Sequence, residues 1–275
     1  MIKKSYLEGW EVPTFFDLST NERFAVRTWA EWVLTESGSN ASGITRAYFQ
    51  KHDGSGGTSI FYQYRKNGFP APSFRKIGRR RPPLEALEND YPGGLRVLLH
   101  PTWVLLQVPI HQDDVRRLIS YLKPKVRQLF LAKPRKGARP RTSLLTAGTR
   151  ELSSDKERLE LIAKCAGLGG LDGLGGAMAV LRFSLGSSPF FYRCAYGLIK
   201  MGWEQFNPLA QSESKKALET SVLLYRHVLG LVDSFQDIDK LWKDEGHSLE
   251  KMQSVLQASG HSAYRALIAA AMQAK

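Results

Sequence analysis

The chain has 275 residues, 43% of them hydrophobic and 24% charged, which is enough apolar material for one large core or two modest ones and excludes wholesale disorder. Its two cysteines, Cys165 and Cys194, are 29 residues apart with no CxxC partner, so neither a cysteine zinc site nor a disulfide framework is suggested. The net charge of +13 falls entirely within residues 1–150, residues 151–275 being balanced.

No acidic residue occurs between Asp53 and Glu85 or between Asp114 and Glu151, and those two stretches contain 18 Lys and Arg. Clustered cations repel one another unless salt, solvent or phosphate screens them, so a polyanionic partner is the simplest reading. The basic N-terminus leads into no apolar leader, and no run of about 18 apolar residues occurs. The expectation is a cytoplasmic chain without a transmembrane segment.

In chain order, Phe24, Trp29, Trp32 and Val33 predict a helix over 21–35. The Ser- and Gly-rich stretch 37–57 reads as a loop interrupted by 44–50. In residues 58–69, Ile60, Tyr62 and Tyr64 alternate with Phe61, Gln63 and Arg65 and run into Asn67-Gly68, which predicts a β-hairpin with a Pro-compromised return strand. Residues 95–108 give two apolar runs about His100-Pro101-Thr102, expected as buried strands with a buried helix as the alternative. Val115, Leu118, Ile119 and Leu122 predict a helix stopped by Pro124, then a strand over 126–132 and an exposed basic loop over 133–142.

The second half is patterned differently. Ser154 and Glu157 form a capping box for a helix ending at Gly167. A glycine-dense connection over 167–176 follows, then a strand from Ala177, then a helix opened by Ser188-Pro189 and closed by Gly202. From Ser212 the chain reads as helices, about 213–230, 234–244, 248–258 and 262–274. The predicted fold is α+β: a mixed α/β region over 1–150 with antiparallel hairpins, then a mainly α-helical bundle over 151–275. A glycine-rich loop entering a strand resembles those of the ferredoxin-like RNA-binding subunits of CRISPR effector complexes, over that segment alone and with no diagnostic side chain.

The candidate nucleic-acid contacts are Arg65, Lys66, Arg75, Lys76, Arg79, Arg80 and Arg81 in the first basic stretch. In the second they are Arg116, Arg117, Lys133, Arg135, Lys136, Arg139 and Arg141, with Lys123, Lys125, Arg127 and Arg150 in the same stretch. Arginine predominates in the first, and its planar fork suits bidentate phosphate contact. Tyr62 and Tyr64, on one face of the predicted strand, are candidates for stacking unpaired bases, with burial in a core as the competing reading. The glycine-dense stretch lacks the Lys-Ser/Thr of a P-loop and precedes a strand, so no nucleotide cofactor is expected. The six histidines show neither HExxH nor HxH, and no metal site is expected.

These residues imply a non-catalytic RNA- or DNA-binding subunit of a nucleoprotein complex, such as an RNA-guided or mobile-element assembly. The apolar stripes Leu218, Val222, Tyr225, Leu229 and Leu249, Met252, Val255, Leu256 fit bundle packing or a face for protein partners. Two alternatives stay open. One is a metal-independent RNA-processing enzyme or nuclease with His52 or His111 as general base; the other is a module binding an anionic surface or an acidic protein.

Overall fold

The computed structural model describes residues 20–49, 60–68, 83–106, 112–131, 152, 154–184 and 187–244. The chain divides into two units, Met1–His100 with Gln211–Val222, and Pro101–Ala210 with Leu223–Lys275. Among the described residues there is no sheet: the architecture is mainly helical, not α+β with antiparallel hairpins.

The first unit is built on α1 (Thr20–Ser37), whose Phe24, Ala25, Val26, Trp29, Ala30 and Val33 are buried. Asn40 caps α2 (Ala41–Ile44) by accepting from Gly43 N–H, and the chain continues through a wide π-type turn, Thr45–Phe49. α3 (Ile60–Asn67) replaces the predicted hairpin. Phe61 and Tyr64 stand three residues apart, so a helix turns both to one side, where they meet Trp29 and Phe49 at ring-centroid distances of 5.6–6.1 Å. Gly68 ends α3 at φ +63°, and a Cβ there would run into the backbone of Arg23. The Asn-Gly pair is therefore a helix stop and not a hairpin turn.

α4 (Pro83–Asp90) and α5 (Gly94–Leu98) complete this unit, joined by Glu88, whose carboxylate accepts from Gly93 N–H at 2.8 Å and Leu95 N–H at 2.7 Å. Gly94 lets α5 lie against Trp29 and Trp32 of α1.

In the second unit, α6 (Pro101–Leu105) begins at a proline, where the missing N–H costs nothing. With α5 it stands where two buried strands were expected. Residues 95–106 are apolar because Leu98, Trp103, Leu105 and Leu106 are buried on short helices. α7 (Gln112–Ser120) follows as predicted from Val115, Leu118 and Ile119. α8 (Pro124–Leu129) occupies the place of the next expected strand, with Val126 and Phe130 buried four residues apart. α9 (Asp155–Leu168) opens at the predicted cap, Ser154 Oγ accepting from Glu157 N–H at 3.3 Å.

Gly169, at φ +67°, turns α9 directly into α10 (Gly170–Phe183). This helix overturns the expected glycine loop and strand, and with them the likeness to the CRISPR subunits. Residues Leu171–Arg182 are all buried, so α10 is the axle of the unit, with α6, α7, α8, α9 and α12 (Trp203–Phe206) against it. Its glycines are there for clearance. A Cβ on Gly176 would stand 2.7 Å from Cys165 Sγ, and one on Gly173 would strike the Cys165 carbonyl. Glycine's low helix propensity is outweighed by the burial that close approach allows.

α11 (Pro189–Met201) starts at the predicted Ser188 cap and ends at Gly202. Ser188 Oγ donates to Asp155 at 2.5 Å near one end of α9, and Gly202 abuts Ala166 near the other, so α9 and α11 run parallel. One continuous helix, α13 (Lys215–Asp244), replaces the two expected over 213–244. The helices expected over 248–258 and 262–274 lie outside the described residues.

Candidate polyanion-binding surface

The first basic stretch is divided by α3. Tyr62 is 47% exposed, and Lys66, four residues on, is exposed on the same side. Tyr64 is turned the other way into the aromatic core, where burial pushes its phenol up to about 12; it offers no face to a base. Sharing a strand face was what paired the two tyrosines, and a helix separates them.

Arg65 is committed within the fold. Its Nε donates to Glu31 Oε1 at 2.8 Å and its Nη2 to Oε2 at 3.1 Å, while Ser214 Oγ donates to the same Oε2 at 3.1 Å. The Glu31 side chain is fully buried, so this bidentate pair is what makes its charge tolerable. Arg27 lies in the same polar seam: burial lowers its pKa, and Glu219 and Glu31 counteract part of that shift. Arg75, Lys76, Arg79, Arg80 and Arg81 lie outside the described residues.

The second stretch is treated differently. α7 carries Asp114 near its start and Arg117 in its last turn, the order that complements a helix dipole. One face is anchored by Val115, Leu118, Ile119 and Leu122, and Arg117 is exposed on another. The chain then bends through Tyr121 and Lys123 into α8, where Pro124 takes the first helical position. Asp172 of α10 pins this elbow by accepting from Lys123 N–H at 2.6 Å, with Lys123 Nζ at 3.6 Å from its other oxygen. Arg127 reaches back to the Ser120 carbonyl at 3.4 Å.

The elbow thus presents Arg117, Tyr121, Lys123 and Lys125 to solvent around a buried anchor. Among the described residues Arg117 and Lys125 form no ion pair. Arg116 is half-buried and engaged within the structure. Tyr121, 36% exposed, was not singled out from the sequence; its signal is the four-residue spacing from Arg117. Lys133, Arg135, Lys136, Arg139 and Arg141 lie outside the described residues, as do Lys51, Arg150, His52 and His111.

Other charged groups serve the fold. Arg182, inside α10, donates to the Leu105 carbonyl at 2.9 Å, and burial pulls its pKa down to about 9. Among the described residues no three His, Cys, Asp or Glu side chains gather as a metal site. The stripe Leu218, Val222, Tyr225, Leu229 does not act as one: Leu218 and Val222 are exposed, Leu229 is buried, and Tyr225 is half-buried against Trp203 at 5.2 Å. The stripe beginning at Leu249 lies outside the described residues. No described helix is long and apolar enough to cross a membrane. Comparison with protein-family models, curated proteins and solved structures gives no match to this chain.

Proposed function

We propose that this protein is a nucleic-acid-binding subunit that grips the phosphate backbone through its two acid-free basic stretches. The observation that carries the reading is the elbow between α7 and α8, where cations above a buried apolar anchor face solvent beside an exposed tyrosine. A surface of this kind attracts phosphate by charge without sequence preference, and Tyr121 adds a ring on which an unpaired base stacks. The exposed Tyr62–Lys66 pair on α3 repeats the combination of ring and cation. Most of the basic side chains stand in residues 75–81 and 133–141, so the elbow is one contact among several. Specificity, where present, comes from a minority of side chains or from a partner nucleic acid.

The test is to purify the protein without nuclease treatment, identify any nucleic acid that travels with it, and titrate stripped protein with single- and double-stranded RNA and DNA. Binding at about 100 mM salt that weakens steeply as salt is raised supports the reading. No shift of any of the four probes at that salt contradicts it.

A further inference from the structure

α11 has two apolar sides, and the described residues of the second unit bury only one of them. Phe191, Tyr192, Ala195 and Ile199 are buried. On the other side Phe190, Cys194, Gly197 and Met201 follow one another at i, i+4, i+7 and i+11, the spacing that lines residues up along a helix. Phe190 is 64% exposed and Met201 82%, the highest exposure among the large hydrophobic side chains of the described residues. Exposed apolar residues scattered singly need no explanation, but a stripe aligned over three turns does.

Two further features indicate what lies on it. A Cβ built on Gly197 meets nothing within 4 Å, so none of the described residues requires glycine there, although glycine within a helix costs about 1 kcal/mol relative to alanine. Between Phe190 and Met201 it leaves a recess of the kind a side chain of a crossing helix fills. Along one edge stand Arg193 and Lys200, seven residues apart and both exposed, and α11 contains no acidic residue.

We infer that this face docks an amphipathic helix of a protein partner, with an apolar stripe against Phe190, Gly197 and Met201 and carboxylates against Arg193 and Lys200. A second copy of the chain is a poor occupant. Self-pairing of α11 about Gly197 brings no carboxylate to Arg193 and Lys200 in either direction, and in the antiparallel arrangement it sets them against like charges. A bilayer has no use for the recess. None of this face's residues belongs to the α7–α8 elbow or to either acid-free stretch of the sequence, so it is tested independently of nucleic-acid binding.

The full chain is titrated, by fluorescence anisotropy, with a helical peptide carrying leucines at i, i+4, i+7 and i+11 flanked by glutamates, and with the same peptide flanked by lysines. The expected result is binding of the glutamate peptide at least about tenfold tighter than the lysine peptide. Phe190→Glu with Met201→Glu should remove it, and Arg193→Glu with Lys200→Glu should reverse the preference. All four side chains point to solvent, so unchanged melting curves confirm that the variants fold. No binding of the glutamate peptide, equal binding of both peptides, or binding unchanged by Phe190→Glu with Met201→Glu overturns the inference. So does self-association that Met201→Glu abolishes, which assigns the face to a second copy. Preference for phosphatidylglycerol vesicles over the glutamate peptide assigns it to a membrane and overturns the inference equally.

Discussion

Arg65 and Arg117 come from the two acid-free stretches of the chain, yet the first is folded against a buried carboxylate and the second is held out to solvent. Glu31 is 34 residues from Arg65 along the chain, so absence of acid nearby in sequence says little about absence of acid nearby in space. Arg117 sits at the end of α7, on a helix whose apolar residues face the other way. The tyrosines divide in the same manner, Tyr64 inside and Tyr62 and Tyr121 outside. A basic, aromatic-rich stretch is therefore a mixture of fold and surface, and the helix face decides which residue is which.

The sharpest break of this comparison is Tyr64→Ala against Tyr62→Ala. Removing the buried ring should cost about 3–5 kcal/mol of stability, measured by chemical denaturation, while Tyr62→Ala stays within about 0.5 kcal/mol and acts, if bases stack there, on affinity for single strands. Next is Arg65→Met, which strands the Glu31 carboxylate and should cost about 3 kcal/mol, because breaking one side of a buried pair leaves an uncompensated charge. Arg65→Met with Glu31→Leu should recover much of that loss. Arg117→Ala with Lys125→Ala should leave the melting temperature nearly unchanged and lower the magnitude of the log–log salt slope of oligonucleotide binding by about 2.

The smallest effect concerns a group that is neither core nor free surface. Burial pushes the Asp155 carboxyl upward, but the hydrogen bonds from Ser188 and Arg158 and the charge of Arg158 together hold it below its ordinary value. A depressed native value means that its ionised form favours the fold. That contribution is present above the unfolded value near 3.9 and is lost as pH falls through the lower native one. Asp155→Asn should flatten the acid limb of the stability profile below about pH 4 and leave neutral-pH nucleic-acid affinity unchanged.

Helix ends were legible in the sequence where their chemistry is local. Ser154 with Glu157, Ser188 with Pro189, and Gly202 mark boundaries that the structure reproduces, because a cap is satisfied by residues within one turn. The strands failed for tertiary reasons. Residues 60–67 fit both a period of two and a spacing of three, and only the presence of Trp29 and Phe49 across the core makes the second the better use of Phe61 and Tyr64. In α10 the glycines suppress helix propensity locally, and what overrides it is the close passage of α9 past Gly173 and Gly176, which no local pattern contains. Of the candidate site, the charge was plain to read but its orientation was not. Arg117 and Arg65 look alike until α1 supplies Glu31.

The most direct measurement of the account's central claim is the salt dependence of binding to a duplex or single-stranded oligonucleotide by the full chain, compared with the Arg117→Ala, Lys125→Ala variant. If six to nine of the basic side chains meet phosphate, the log–log slope on a duplex is roughly −5 to −8, shallower on a single strand, and the variant reduces its magnitude by about 2. A slope near zero, or a steep slope that the variant leaves untouched, contradicts the assignment of the elbow to phosphate.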